Sequence, residues 1–280
     1  MKAKTILGSL LSLLASCQTS AQGWFGQETI KESKNYVTKE INVKDFTRIS
    51  LAGSPTVTYT QRDGKPEVVV YTSDNIAEAL DIHVSENTLY IGFKKNLRVS
   101  YKKLDIRVSS PRLNAGNIAG SGEVHIADGL QTDDLQLSLA GSGDLTGQGI
   151  RCNQLKTSVA GSGDLHLTDI RCVQTTAFVA GSGDLSLKGL LCQSVGASVA
   201  GSGDLVLNGT ADQANYHVSG SGDLSASKLK AQQVEASVAG SGDITCHATD
   251  LLKANISGSG EIGYAGSPRL EVPKKGIYKL

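Results

Sequence analysis

The sequence predicts an all-β chain, folded as a right-handed parallel β-helix with an N-terminal β-rich cap. Three observations carry this. First, the tetrapeptide Gly-Ser-Gly-Asp/Glu occurs eight times, opening at Gly120, Gly141, Gly161, Gly181, Gly201, Gly220, Gly240 and Gly258, in steps of 21, 20, 20, 20, 19, 20 and 18 residues. So regular a period marks a repeat architecture of about 20 residues per coil. Second, apolar and polar residues alternate inside each repeat. Leu155, Val159, Leu165 and Leu167 fall on odd positions, with Lys156, Ser158, Asp164 and His166 between them. That is the period of a half-buried strand, not of a helix. Third, the chain has 32 Gly and only 5% aromatic residues. Its core must therefore be assembled from thin layers of Leu, Val, Ile and Ala, as stacked solenoid coils do.

The N-terminus has the shape of an export signal. Lys2 and Lys4 supply positive charge, and Ile6 to Leu14 form an apolar run too short to span a bilayer. Leu14-Ala15-Ser16-Cys17 follows directly and looks like a lipobox, which would make Cys17 the lipid-attachment residue. Residues 1–17 are thus read as a signal peptide with lipobox, and 18–42 as a polar leash. The protein is expected in the bacterial cell envelope, held to the membrane through Cys17. The competing reading is cleavage after Thr19-Ser20-Ala21, which would release a secreted or periplasmic protein.

Residues 43–105 lack the short period and are read as the cap. Ala52-Gly53-Ser54-Pro55 is a degenerate first motif. Strands are predicted over Val68–Tyr71 and Leu104–Val108. A short helix is predicted over Asn75–Leu80, with Ser73 or Asp74 able to cap it. Ile82–Val84 and Thr88–Phe93 should form a hairpin across Ser85-Glu86-Asn87. Such a cap covers the open sheet edge at the solenoid's end.

Residues 106–265 are the coils. The repeats around Gly161, Gly181 and Gly201 offer Val before the glycine corner and two Leu after it, and a third apolar pair follows a short polar turn in Ile150 with Cys152, Ile170 with Cys172 and Leu190 with Cys192. Stacked like over like, the strands pair in parallel, and parallel crossovers are right-handed. The corner glycines supply backbone conformations and space that a Cβ would forbid. Ser and Asp of the motif are expected to satisfy corner N–H groups with their side-chain oxygens. Residues 266–280 are read as a C-terminal cap, where Pro268 and Pro273 cannot donate to a further strand.

Candidate chemistry is thin. Formal net charge is zero, which argues against a nucleic-acid partner. The repeat region itself is acidic, with 15 Asp/Glu against 9 Lys/Arg over residues 106–265. Glu123, Asp144, Asp164, Asp184, Asp204, Asp223, Asp243 and Glu261 form a predicted column of one carboxylate per coil. At the strand spacing of about 4.8 Å, neighbours repel by about 1 kcal/mol in water. Corner N–H groups and a serine ladder can offset this, and so can a bound cation such as Ca²⁺. Calcium-binding β-rolls, however, have a period of about nine residues, so turn capping is the preferred reading. No metal site and no cofactor is assigned.

Cys152, Cys172 and Cys192 share one place on successive coils and are read as a buried apolar column of free thiols, with Cys246 also inside. His125, His166, His217 and His247 sit in unlike environments and read as surface residues. Arg151 and Arg171 stack as solvated face charges. No rung is singled out by an asymmetric cluster of unlike groups, which acid–base catalysis needs.

The export signal, the β-rich region from Phe46 to Val57 and the tandem Gly-Ser-Gly-Asp-Leu repeats together resemble the bacterial head GIN domain family, described as auto-transporter adhesins. The resemblance covers roughly residues 40–265. It implies a right-handed β-helix in the cell envelope with a role in adhesion, and it brings no catalytic motif. The chain carries no recognisable autotransporter barrel of its own. The expected function is therefore non-enzymatic: an adhesin-like or structural lipoprotein whose partner is a glycan or an envelope protein. The alternative is a carbohydrate-active β-helix enzyme, a polysaccharide lyase or hydrolase.

Overall fold

The computed structural model of the chain describes residues 29–273 and 275–280. The predicted signal peptide, the lipobox with Cys17 and the Ala21 cleavage site lie outside these residues.

The repeats stack as the alternation requires. The earlier coils contribute two strands each, such as Asp134–Gly141 and Asp144–Arg151, separated by the glycine corner, whereas Leu205–Val218, Leu224–Val238 and Ile244–Ile256 each run on from one face to the next. Asp134–Gly141 pairs in parallel with Gln154–Gly161, which pairs with Gln174–Gly181, which pairs with Ser194–Gly201. On the second face Asp144–Arg151, Asp164–Arg171 and Leu185–Leu191 stack in the same way. Register is in phase, so Leu135 lies under Leu155 and Leu139 under Val159, and apolar side chains form columns along the axis. The result is a β-solenoid of about eight turns. Among the described residues the one helix is Asp74–Ala79. The predicted fold class holds.

One local detail departs from the sequence reading. The third apolar position does not follow a polar turn but sits in the same strand, behind a bulge. Alternation puts Leu165 and Leu167 inside, and one extra residue then shifts parity so that Ile170 is also fully buried. The extra residue lies at positive φ: Gly149 (70°), Asp169 (51°) and Gly189 (67°) on three successive coils. A bulge of this kind re-aims the following side chain.

The stack begins before the first complete motif. Arg48–Gly53 pairs with Ala115–Gly120, matching Gly53 to Gly120, and Thr56–Gln61 pairs with Glu123–Ala127. Below them lie Thr88–Phe93 and Leu104–Ser110, again in parallel. Antiparallel pairing starts only beyond this level. Glu67–Ser73 lies on Leu104–Ser110, with Tyr36–Ile41 outside it. The predicted hairpin is present, Leu80–Ser85 against Thr88–Phe93, turned by Glu86 and Asn87 at positive φ. The helix runs over Asp74–Ala79. Ser73 holds its N-cap position, but its hydroxyl donates to the Asn75 side chain (2.9 Å) instead of capping the helix.

At the other end the tail adds strands to both faces. Arg269–Glu271 pairs with 251–253, and Ile277–Lys279 pairs with 262–264. Glu271 takes ion pairs from Arg269 (2.9 Å) and Lys253 (3.8 Å). A charged, short edge strand discourages edge-to-edge association.

Candidate functional site

The repeated corner is the most distinctive surface of the molecule. Its glycines are required by contact between coils. A Cβ on Gly183 would stand 2.1 Å from the carbonyl oxygen of Gly163 in the coil below, with no room to shift. The corners are this close because one carbonyl serves two amides: Gly161 O accepts the N–H groups of Ser182 (2.8 Å) and Gly183 (2.9 Å).

The acidic column exists, and its carboxylates cap the coil above. Asp184 N–H donates to Asp164 Oδ1 (3.0 Å), Asp204 N–H to Asp184 Oδ1 (3.0 Å) and Asp223 N–H to Asp204 Oδ1 (3.1 Å). Asp243 N–H and Glu261 N–H continue the series at 2.8 and 2.7 Å. Lower down the ladder changes partners, since Asp144 N–H reaches Gly122 O and Asp164 N–H reaches Gly143 O, both at 3.2 Å. The serine part of the expectation is corrected. Ser142, Ser162, Ser182 and Ser202 are exposed, and their hydroxyls make no hydrogen bond among the described residues. Chain direction explains this, because the main-chain carbonyl of the coil below already saturates the corner amides. Among the described residues, no three His, Cys, Asp or Glu side chains converge on a metal position.

The cysteine column is corrected in degree. Cys152, Cys172 and Cys192 are free but only half-buried, whereas Cys246 is fully buried. The first three sit at the corner beyond the bulge, where parity no longer points a side chain straight into the core. Cys172 Sγ lies 2.9 Å from Thr175 Oγ1. The neighbouring thiols of Cys152 and then Cys192 hold the Cys172 thiol below its ordinary range. The nearby Cys172 and then burial push Cys152 and Cys192 up. Burial pushes Cys246 up to about 12.

The remaining candidates stay apart. His125, His166 and His217 are exposed and His247 is half-buried. His125 Nδ1 meets Thr146 Oγ1 at 2.8 Å. Arg151 stacks under Arg171 and pairs loosely with Asp169 (3.9 Å).

A feature missed in the sequence is a shallow polar groove of about 430 Å³ on the face that carries Arg48, Asn117, Gln136 and Lys156. Arg48, Ala115, Gln136 and Lys156 occupy one register position on four successive levels. Asp134 and Gln154 line its side. Arg48 comes from the degenerate first coil, so no repeat signal could have placed it beside Lys156.

Comparison with known proteins agrees with this geometry. The sequence profile of a family described as "Putative auto-transporter adhesin, head GIN domain" matches residues 45–204 and 168–268. A search of curated proteins finds no match. Among solved structures, a putative adhesin from Bacteroides fragilis is 33% identical, with 90% of this chain and 100% of that one covered and a TM-score of 0.55. A putative lipid binding protein from Parabacteroides distasonis is 28% identical over the same shares, with a TM-score of 0.67. A putative adhesin from the same species is 25% identical, again over 90% and 100%, with a TM-score of 0.69. With its repeats stacked in register and the profile covering most of its length, the chain belongs to the head GIN domain family.

Proposed function

We propose that the protein is an exported, non-enzymatic binding module of the bacterial cell envelope, tethered through a lipidated Cys17 and adhesin-like in its role. The observation that carries this is the repetition of one surface from coil to coil. A uniform row of exposed serines and carboxylates beside flat strand faces offers many equivalent weak contacts along one line. Such a surface suits an extended polymer better than a single small substrate. The groove bounded by Arg48 and Lys156, with Gln136 and Asn117 between, has the donors to hold an acidic glycan: two cations for carboxylates and amides for hydroxyls. The family's description and the adhesin names of its relatives support the same reading.

The rival is a carbohydrate-active enzyme on the same fold, which rests on fold analogy alone. Incubating the full chain with uronic-acid polymers, while measuring both retention and chain length, separates the two. Retention with unchanged chain length supports a binding module. Shortened polymer, lost on mutation of the groove, would establish the enzyme instead.

A further inference from the structure

The lowest parallel level of the stack has a corner unlike the others. Leu51 stacks on Ile91, and Thr56 stacks on both Asp105 and Glu123, so residues 94–103 stand where a glycine corner would be. Ser54 of the corner above meets Tyr101, Oγ to OH at 2.9 Å. Where the complete motifs carry one carboxylate per corner, this loop carries Lys94, Lys95, Arg98, Lys102 and Lys103 and no carboxylate. All five are exposed, and none is in an ion pair among the described residues. Strand Thr29–Lys31 runs beside the loop, with Thr29 opposite Arg98 and Lys31 opposite Ser100, and brings the exposed Lys31 and Lys34. Of the carboxylates nearby, Glu32 accepts the Lys102 N–H (2.8 Å) and the Tyr36 hydroxyl (3.0 Å), and Asp74 accepts from the Ser33 and Asn35 side chains. With Asp105 they are too few to cancel these cations, so this end of the rod is basic.

We propose that the loop 94–103, with Lys31 and Lys34 beside it, is a docking surface for the anionic phospholipid headgroups of the membrane to which the chain is tethered. It rests on the reading that Cys17 holds the chain at a membrane, and adds a contact that needs no acyl chain. Cys17 and Thr29 are 12 positions apart, a leash of about 40 Å at full extension. Thr29 pairs directly with Arg98, so the leash delivers this end of the rod to the bilayer. A cluster of four to eight Lys and Arg beside an anchor is the pattern that anionic lipid surfaces attract. The acidic column runs the other way, from Glu123 through Asp144 and Asp164 up the stack. An anionic bilayer therefore attracts the end of the rod and repels its flank. The rod stands up from the membrane, with its strand faces free.

The test uses the chain from Gln18 on, which holds every described residue and neither the apolar run nor an acyl chain. It is sedimented with vesicles of phosphatidylcholine alone, or of phosphatidylcholine mixed with phosphatidylglycerol, and circular dichroism confirms that each variant is folded. The expected result is binding only where phosphatidylglycerol is present, weakening as sodium chloride rises. Each cation at such a surface strengthens binding about fivefold, so Lys94→Gln/Lys95→Gln/Arg98→Gln should weaken it about 100-fold. Lys188→Gln/Lys228→Gln/Lys230→Gln removes the same charge several coils away, beyond a Debye length of about 10 Å, and should bind as the parent does. Equal binding to both vesicles, undiminished binding of the folded loop variant, or an equal loss in the distal variant would overturn the proposal. Retention of a uronic-acid polymer that the loop variant loses, with both vesicles left unbound, would overturn it too and assign the loop to a glycan. Since no acyl chain enters this assay, failure here is distinct from failure of the tether, which fractionation of Cys17→Ala reads.

Discussion

The backbone N–H of Asp204 donates to Oδ1 of Asp184 in the coil below, 3.0 Å away. From Asp164 to Asp243 each carboxylate in this column is thus both a surface charge and the acceptor that ties down the next coil. Stacked charges at about 4.8 Å repel by about 1 kcal/mol in water. A hydrogen bond to a charged group contributes about 1.5–3 kcal/mol. The bond thus exceeds the repulsion it has to offset.

Replacing one acceptor tests that balance. Asp184→Ala should cost about 1 kcal/mol in urea unfolding, the usual loss for a side chain capping backbone amides. Asp184→Asn keeps an oxygen in place and relieves repulsion, so it should fall within about 0.5 kcal/mol of the parent. Equal losses in the two variants would show that charge, not hydrogen bonding, holds the corner.

Close approach of coils predicts a sharp difference between two glycines. A Cβ at Gly163 would meet Gly143 O at 2.1 Å, while one at Gly196 has nothing within 4 Å. Gly163→Ala should destabilise by about 3 kcal/mol or more, at the top of the range for overpacking. Gly196→Ala should stabilise by about 0.4–1 kcal/mol through the unfolded chain. Thermal and urea unfolding of both variants provides the check.

Two buried tyrosines make a similar pair. Tyr59 OH lies 3.1 Å from Ser110 O and 3.0 Å from Ser110 Oγ, whereas Tyr216 OH has no partner among the described residues. Burial accordingly pushes the Tyr216 phenol far above its ordinary range. Tyr216→Phe removes an unpaired buried hydroxyl and should raise stability by about 1 kcal/mol, while Tyr59→Phe should lower it by a similar amount. A loss at Tyr216 would reveal a hidden hydrogen-bond partner.

The coil was legible because its information is local and repeated. Parity in Leu155, Val159, Leu165 and Leu167 fixes which side chains face inward, and all four are fully buried. The glycine corners announce the period. What stayed hidden is whatever depends on neighbours far apart in sequence. The bulge at Asp169 leaves no mark, because aspartate at positive φ reads as an ordinary polar residue. The trans-coil capping by Asp184 was legible as a turn cap but not as a bond to the next coil. Arg48 and Lys156 meet on one face only because Arg48–Gly53 stacks under Ala115–Gly120.

Tethering through Cys17 predicts a change of compartment. Cys17→Ala should move the protein from the membrane pellet to the soluble fraction, since stable anchoring needs more than one acyl chain. Unchanged partitioning, with a mature N-terminus at Gln22, would favour cleavage after Ala21.

If the Gly-Ser-Gly-Asp corner is self-satisfied structure, binding is left to the faces of the rod. Differential melting of the full chain with EDTA, with millimolar CaCl₂ and with millimolar MgCl₂ tests it most directly. A protein whose corners bound calcium would gain stability as free calcium rose past its dissociation constant. Self-satisfied corners should give the same melting temperature in all three buffers. A rise of many degrees with calcium, absent with magnesium, would contradict it.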